Sequence, residues 1–236
     1  GDYADKRASR QFASDVDVGT VEFENIPLEA LDTIAEIVPV RPGRTAFAQT
    51  RNRITEKTML AKMGFSVPGF SPVVAQDDIT EFYASHAAVS RAVIKTAEFG
   101  YDGKGQALVE NLETAVNAYA QLGGCPATIE EFIDLDCELS VIGARSVDGE
   151  ISCFGPILNQ HERHILDVST APAETINSNV TADAINITEA LLEQLDVCGV
   201  ICVEFFLDRR GRLLINEIAP RTHNSGHLTI EACVTS

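Results

Sequence analysis

Basic residues are scarce in this chain. Lysine and arginine together number 18 against 35 aspartates and glutamates, so the formal net charge of the 236 residues is −17. Nucleic acids and anionic membranes are bound through a basic face, because their phosphates must be neutralised. The composition therefore argues against a nucleic-acid partner, and any anionic ligand must be held by a few local lysines and arginines.

Long apolar runs and paired cysteines are also lacking. No apolar stretch approaches the roughly 20 residues that a membrane-spanning helix needs, so no membrane partner is predicted. The six cysteines form no CxxC pair and no regular framework. Such cysteines are typical of reduced core residues and favour a cytoplasmic protein. With 45% hydrophobic residues, the chain can bury an ordinary core.

Helical and extended patterns alternate along the chain, which predicts an α/β or α+β fold. Apolar spacing and terminal glycines or prolines predict helices over about 28–34, 54–63, 79–88, 111–122 and 184–195. Apolar runs bounded by turn residues predict strands over 20–27, 91–95, 127–133, 138–145 and 151–158.

Two glutamates interrupt apolar runs near the C-terminal end. Glu204 and Glu217 flank the polar turn 208–211, so the two runs are predicted to form a β-hairpin in which the carboxylates face each other. Like charges so placed destabilise a sheet, and buried carboxylates are tolerated when paired or bound to metal. Oxygen ligands favour Mg²⁺ or Mn²⁺. The alternative is a hairpin whose glutamates point to solvent.

A glycine-rich segment follows the predicted strand that ends in Lys95. Three glycines lie within Gly100–Gly105, and glycine lets backbone N–H groups approach a phosphate. The segment matches neither a Walker A loop nor a GxGxxG fingerprint, and Asp102-Gly103 alone would explain a simple hairpin turn. A basic glycine loop combined with a metal site nevertheless predicts a clamp for a nucleoside triphosphate.

Three segments carry a family resemblance, namely 92–106, 138–145 and 216–227. Their runs AVIK with GYDGKGQ, ELSVIGAR and NEIAPRTHNSGH closely resemble the N5-carboxyaminoimidazole ribonucleotide synthetases, ATP-grasp enzymes of purine biosynthesis. The last motif is specific to this family within the ATP-grasp enzymes. The resemblance implies an α/β (α+β ATP-grasp) fold and ATP-dependent carboxylation of 5-aminoimidazole ribonucleotide by bicarbonate. ADP and phosphate would be released, and carboxyphosphate would be the activated intermediate.

Carried over position by position, the resemblance implies an ATP site. Arg53 and Lys95 would bind the phosphates, Glu138 the ribose hydroxyls, and His161 another part of the nucleotide. The loop that closes over the phosphates would consist of Gly100, Tyr101, Asp102, Gly103, Lys104, Gly105 and Gln106. The hinge that holds adenine would consist of Glu130, Glu131, Phe132 and Ile133.

The metal and substrate positions follow from the same resemblance. Glu204 and Glu217 match the metal carboxylates, with Asn216 beside them. The implied catalytic residues, which include the bicarbonate and carboxyphosphate pocket, are Arg221, His223, Asn224, Lys104 and Tyr101. The residues implied to contact 5-aminoimidazole ribonucleotide are Glu24, Tyr101, Lys104, Arg221 and His223.

The resemblance also implies a domain organisation. Residues 1–46 would be the remainder of an N-terminal pre-ATP-grasp domain, and 47–236 an ATP-grasp domain with a small mobile lobe at about 67–131 and a large lobe at about 132–236. The chain is therefore expected to be a fragment that lacks both ends of the family pattern, binds nucleotide poorly and cannot complete the reaction by itself. The oligomeric state is not visible in the sequence, although family members commonly form homodimers.

Other interpretations stay open at this point. A formate-dependent glycinamide ribonucleotide transformylase or a biotin carboxylase would share the lysine, loop and metal glutamates, but should lack the run 220–227. A catalytically silent nucleotide-binding module is the hypothesis from another class. Zinc is not predicted, because the pairs His161/His164 and His223/His227 have no third ligand and lie in segments without a helical pattern.

Two residues depart from the family pattern. His164 stands where a glycine- or aspartate-rich turn is expected, and Phe99 replaces the small residue that usually precedes Gly100. Neither change removes an implied ligand.

Overall fold

The fold is that of a computed structural model, which describes residues 2–100 and 103–235. The strands are β1 Gly19–Thr20, β2 Val40–Arg41, β3 Phe70–Val73, β4 Ala92–Thr96, β5 Gln106–Val109, β6 Ala127–Glu131, β7 Leu135–Arg145, β8 Ile151–Glu162, β9 Ile165–Thr170, β10 Gly199–Asp208 and β11 Leu213–Ala219. The helices are α1 Lys6–Ser14, α2 Leu28–Ala35, α3 Arg44–Thr50, α4 Arg53–Lys62, α5 Gln76–Ser85, α6 Leu112–Gln121, α7 Ser178–Gln194 and α8 Thr229–Ala232, with a 3₁₀ turn at Asn224–Gly226.

The N-terminal region has a small core of its own. Its buried apolar residues, including Val21, Leu31 and Phe47, lie beside the short parallel pair β1–β2. The predicted strand over 20–27 is wrong beyond Thr20. The partner strand β2 is followed by Pro42, which has no N–H to continue the ladder, so the pairing stops after two residues.

The four-stranded antiparallel sheet has the order β3-β6-β4-β5. Helices α5 and α6 supply Phe82, Ala115 and other residues to the apolar core that they share with the strands. Helix α5 begins three residues before the predicted start and ends at Ser85, not Ala88. The Asp78 carboxylate accepts hydrogen bonds from the N–H groups of residues 74 and 75, and this N-terminal cap precedes the first apolar residue of the helix.

The five-stranded antiparallel sheet has the order β11-β10-β7-β8-β9. Helix α7 covers one face, where Leu191 and Leu192 join the largest apolar core. Helix and sheet approach closely at Gly143, where a Cβ atom would come within 2.9 Å of the Leu192 side chain. The predicted hairpin is confirmed as β10–β11, with Glu204 paired to Glu217 in register. The other face of this sheet therefore carries both carboxylates.

Helix α4 crosses between the two sheets. Met59 and Leu60 on one side of the helix enter the core of the five-stranded sheet. Arg53, Glu56 and Lys57 lie at spacings of three and four residues, so they share another face of the helix. That face points toward the region between the sheets. Among the described residues, no helix is both long enough and apolar enough to cross a bilayer.

Candidate functional site

A cavity of about 750 Å³ lies between the two sheets and in front of the N-terminal region. Its size is typical of small-molecule sites. The candidate residues that line it are Glu24, Arg53, Lys95, Gly100, Gly103, Lys104, Gly105, Gln106, Glu130, Glu131, Phe132, Ile133, Glu138, His161, Glu204, Asn216, Glu217, Arg221, His223 and Asn224. The remaining candidates, Tyr101 and Asp102, lie outside the described residues. The fold thus brings residues from distant parts of the sequence to one cavity.

Each hairpin glutamate has its own cationic or basic partner. Glu217 Oε2 lies 2.5 Å from Arg53 Nη1, and Glu204 Oε1 lies 2.9 Å from His223 Nε2. These contacts offset the repulsion expected between opposed carboxylates. Arg53 holds the pKa of Glu217 at about 2 against the opposing effect of burial, so this carboxylate is ionised at neutral pH.

A second carboxylate lies deeper, between two lysines. Glu130 Oε2 is 2.9 Å from Lys95 Nζ and 3.5 Å from Lys57 Nζ. Burial alone would raise the pKa of Glu130, but Lys57 and Lys95 outweigh burial and hold it at about 2. The Glu130 side chain therefore serves as counterion to the predicted phosphate lysine, and only the backbone of this residue remains for an adenine contact.

Lys57 connects this carboxylate to the hairpin strand β11. Its side chain is fully buried, and its ammonium group donates to the carbonyl oxygens of Asn216 at 2.7 Å and Ile215 at 3.4 Å. Lys95 donates to the Asn216 side-chain oxygen at 3.3 Å. The two lysines thus fix the position of Asn216 next to Glu217.

Glu56, beside Lys57 on helix α4, is also buried. One carboxylate oxygen accepts the Ile218 N–H at 2.7 Å. Burial raises its pKa to about 8, although Lys57 acts in the opposite direction. Glu56 is therefore largely protonated at neutral pH, whereas Glu130 and Glu217 are charged.

The far end of the cavity joins the N-terminal region to the segment after β11. Arg221 Nε donates to Glu24 Oε1 at 2.9 Å, and Arg221 Nη1 donates to the Thr222 carbonyl oxygen. Burial raises the pKa of Glu24, and Arg221 lowers it by a smaller amount. The guanidinium faces the cavity, where it can make a bidentate contact with a carboxylate-like anion.

The predicted ribose and hinge positions also line the cavity. His161 Nδ1 lies 3.2 Å from Glu138 Oε2, and this contact raises the pKa of His161. The Arg91 guanidinium stacks over the Phe132 ring at 4.1 Å from its centroid, which fixes the hinge side chain at the cavity wall. The Phe132 ring thus forms an apolar part of the cavity lining.

The glycine loop touches the tip of the β8–β9 hairpin. Gly103 has φ of +73°, and a Cβ atom there would overlap the His164 side chain. A Cβ at Gly105 would lie 2.5 Å from Thr96 Oγ1. Both positions therefore require glycine for space as well as for backbone conformation. Residue 164, a departure from the family pattern, forms the surface against which the loop rests.

The donor set fits a divalent cation. Glu204 and Glu217 present carboxylate oxygens on one face of the sheet, and the side-chain oxygen of Asn216 lies beside them. Mg²⁺ commonly uses one or two carboxylates and completes its shell with phosphates and water. In the described part of the chain no group of three or more His, Cys, Asp or Glu side chains is arranged to hold a metal.

Several residues that lie behind the cavity wall and support the site were not predicted from the sequence. They are Glu56, Lys57, Ser140, Asn159 and Ser225, all buried and polar. For Lys57 a signal existed, because the helix predicted over 54–63 begins directly after Arg53 and would place Lys57 one turn further on the same side. The serines and the asparagine carry no such signal, since single hydroxyl and amide groups are common on strands and turns.

Comparison with known proteins agrees with this geometry. Residues 58–236 match the model of the ATP-grasp domain, and residues 1–50 match that of the ribonucleotide synthetase preATP-grasp domain. The chain is 39% identical to the N5-carboxyaminoimidazole ribonucleotide synthase of Brucella melitensis over 236 residues, which is 99% of this chain and 64% of that protein.

Solved structures of N5-carboxyaminoimidazole ribonucleotide synthetases have the same fold as this chain. An ADP complex of N5-carboxyaminoimidazole ribonucleotide synthetase superimposes with a TM-score of 0.93 at 35% identity, covering 100% of this chain and 62% of that one. The Aspergillus clavatus N5-carboxyaminoimidazole synthase with ADP and 5-aminoimidazole ribonucleotide has a TM-score of 0.85 at 25% identity, covering 98% and 60%. The chain thus spans about three fifths of the length of these relatives.

Proposed function

Since the chain belongs to the ATP-grasp family, we propose that its cavity binds ATP with Mg²⁺ or Mn²⁺ and carboxylates 5-aminoimidazole ribonucleotide with bicarbonate. One observation carries the proposal: Arg221, His223 and Asn224 line the same cavity as the opposed carboxylates and the buried Lys95. An anion pocket thus adjoins the predicted phosphate and metal groups.

The proposed roles follow from the contacts. Lys95 and Arg53 neutralise the phosphates, while Glu130 and Glu217 hold these two cations in place. Glu204 and Glu217, with Asn216 nearby, would hold the metal, which would supply positive charge to neutralise the phosphates. The adenine would lie at residues 130–133, and its ribose hydroxyls near Glu138.

The proposed chemistry has two displacements. A bicarbonate oxygen attacks the γ-phosphorus, the bond to the β-phosphate oxygen breaks, and ADP leaves. The amine of the ribonucleotide then attacks the carboxyl carbon of carboxyphosphate, phosphate leaves, and the amine loses a proton. Arg221 binds the carboxylate oxygens, and His223 is held at the edge of the same pocket. The glycine loop excludes water from the short-lived acyl phosphate.

The reaction is tested with an enzyme of the relatives' full length that contains this chain. We expect ATP hydrolysis only when 5-aminoimidazole ribonucleotide and bicarbonate are both present. Equal hydrolysis with glycinamide ribonucleotide and formate would reject the substrate assignment. ATP binding without any hydrolysis would favour a silent nucleotide-binding module.

Metal binding is tested on this chain by thermal unfolding with ATP and Mg²⁺. A ligand that binds only the folded state stabilises it by RT ln(1 + [L]/Kd), so the melting temperature should rise. Glu217→Gln should reduce the part of that rise that depends on Mg²⁺, and Glu231→Gln, an exposed change outside the cavity, should not. An equal Mg²⁺-dependent rise in both variants would remove the metal role from Glu217.

We propose a cytoplasmic site of action, supported by the six free thiols. We also propose a homodimer, as the resemblance implies. Light scattering of the chain across a concentration series tests the second point, and a constant monomer mass would contradict it.

A further inference from the structure

A row of buried polar side chains crosses the five-stranded sheet and ends at His223. Ser140 and Ser225 are fully buried, and Asn159 is nearly so. Asn159 Nδ2 donates to Ser140 Oγ at 2.9 Å, and Ser140 Oγ donates to Ser225 Oγ at 2.8 Å. Ser225 Oγ lies 3.0 Å from His223 Nδ1. We refer to Asn159, Ser140 and Ser225 as the polar row.

The polar row is also closed at its other end. The Ser169 hydroxyl donates to Asn159 Oδ1 at 3.0 Å, so both ends of the amide have partners. Strands β7, β8 and β9 thus each contribute one polar group. A buried donor or acceptor without a partner costs about 1–3 kcal/mol. The hydroxyls of the row are therefore constrained to point at one another and at the imidazole.

The row leads directly to the metal carboxylates. Ser140 on β7 is the cross-strand partner of Glu204 on β10. The His223 ring spans the two, because Nε2 lies 2.9 Å from Glu204 Oε1 while Nδ1 faces the Ser225 hydroxyl. The Ser225 N–H also donates to Nδ1 at 3.4 Å. Both ring nitrogens therefore have partners, and rotation of the ring would break contacts on each side.

We propose that Ser225, supported by Ser140 and Asn159, is a positioning residue that holds the His223 ring with Nε2 directed at Glu204 and the anion pocket. None of the three lines the cavity, so each acts through His223. The identity of the anion as bicarbonate rests on the proposed function, but the fixed ring orientation does not.

The orientation is tested on this chain by NMR of its histidine rings after selective ¹⁵N labelling. The chain has five histidines, and His223→Gln assigns the signal of interest. In the wild type we expect one set of His223 ring signals, with an Nε2–H proton protected from exchange with water. If the wild-type His223 signals are averaged between the two tautomers and the Nε2–H proton exchanges rapidly with water, the proposal is overturned. That conclusion needs no variant.

Variants then test the row itself. Ser225→Ala and Ser140→Ala should each abolish the protected Nε2–H signal. The matched control is Thr188→Val, which removes another fully buried hydroxyl, on helix α7, whose partner is the Ala184 carbonyl oxygen. It should leave the His223 signals unchanged. His223 signals that stay unchanged in both serine variants would overturn the proposal.

Activity measurements separate this proposal from the proposed function. In the enzyme of full length, Ser225→Ala should raise KM for bicarbonate about tenfold, the effect of roughly 1.4 kcal/mol, with KM for ATP within about twofold. An equal rise in both KM values would indicate a general loss of structure and count against positioning. An enzyme without bicarbonate-dependent turnover would reject the proposed function, and the ring signals would still decide the orientation.

Discussion

The surroundings of Glu217 and Glu204 differ, although the two residues are paired in register on one hairpin. Around Glu217 the neighbours are charged: Arg53, Lys57, Lys95 and Glu130 come from three chain segments, and Glu217 itself lies on a fourth. Glu204 contacts the imidazole of His223, and behind that ring lie the uncharged hydroxyl and amide groups of the polar row. One carboxylate thus belongs to an ionic cluster and the other to a hydrogen-bonded row.

The difference shows how one sheet can present two carboxylates at the same site. Attraction between fixed charges holds the Glu217 side, and it depends on every partner being present, because an unpaired buried charge is costly. Directional hydrogen bonds hold the Glu204 side. They fix the orientation of the side chains and contribute little through net charge. We therefore expect removal of a charge, or a change of pH, to alter stability through the Glu217 side. Loss of a single hydroxyl should alter stability and the His223 orientation on the Glu204 side.

The largest effect is expected for Lys57→Met. This change leaves Glu130 with one lysine and two backbone carbonyls without their donor, so unfolding free energy should fall by about 3–5 kcal/mol. Urea unfolding at pH 7 measures it. Lys62→Met, an exposed position on the same helix, should stay within about 0.5 kcal/mol. A difference below about 1 kcal/mol between the two variants would contradict an ionic network.

The second largest effect is expected in the pH dependence of the unfolding free energy. The pKa of Glu56 is raised from 4.5 to about 8, so the native state binds more protons than the unfolded state, and stability should fall as pH rises through that window. The groups that act on Glu56 are Lys57, Glu217 and Arg53. Glu56→Gln should reduce the decrease by on the order of 3 kcal/mol, since one pKa unit corresponds to about 1.4 kcal/mol. A smaller decrease should remain, because the contact with Glu138 also raises the pKa of His161.

Unfolding measured from pH 5 to pH 8 tests this effect. Glu29→Gln, an exposed change on helix α2, should retain the wild-type slope. Below pH 4.5 the sign reverses, because Glu130 and Glu217 have pKa values of about 2 and their contribution is lost as acid protonates them. A wild-type profile that rises steadily from pH 5 to pH 8 would be incompatible with a neutral Glu56.

On the Glu204 side, Ser140→Ala should cost about 1–2 kcal/mol. It leaves the Asn159 amide and the Ser225 hydroxyl each without one buried partner. Because no charge is removed, the loss should be the same at 0.05 M and 0.5 M salt. Lys57→Met removes a cation from a chain of net charge −17, so its loss should be larger at the lower salt concentration, where long-range repulsion is less screened. Urea unfolding at the two salt concentrations compares them, and a strong salt dependence in Ser140→Ala would remove the distinction between the two sides.

The smallest effect is expected at the surface. Arg44 Nε lies 2.5 Å from Asp32 Oδ1, but both side chains are about half exposed, at 52% and 45%. Arg44→Ala should change unfolding free energy by no more than about 1 kcal/mol. This pair is the reference for an ion pair that is not buried. If Arg44→Ala lowered the unfolding free energy as much as Lys57→Met, burial would not explain why the inner network is sensitive to the loss of a charge.

The sequence was sufficient for features that depend on local pattern. The β10–β11 register follows from apolar alternation and the turn at 208–211, and helices α4 and α6 end close to their predicted bounds. The mixed α+β class and the ATP-grasp fold are confirmed. The domain bounds near residues 46 and 131 stay predictions, as do the roles given to individual site residues.

Features that depend on distant partners were not predictable. Glu130 was assigned to adenine, and only the fold shows that its carboxylate faces two lysines, 73 and 35 positions away along the chain. The polar row draws on residues 140, 159 and 225, which no periodicity connects. Helix α1 was missed despite Asp5, whose side chain caps the N–H groups of residues 7 and 8.

The contact between Gly103 and His164 bears on how quickly a ligand can leave the cavity. The glycine loop and the β8–β9 tip belong to different sheets, and together they bound one side of the cavity. If the cavity binds a nucleotide, as proposed, the nucleotide would leave no faster than this contact opens, so the pair would set its residence time more than its affinity. ADP would then be released at a rate governed by separation of the two sheets.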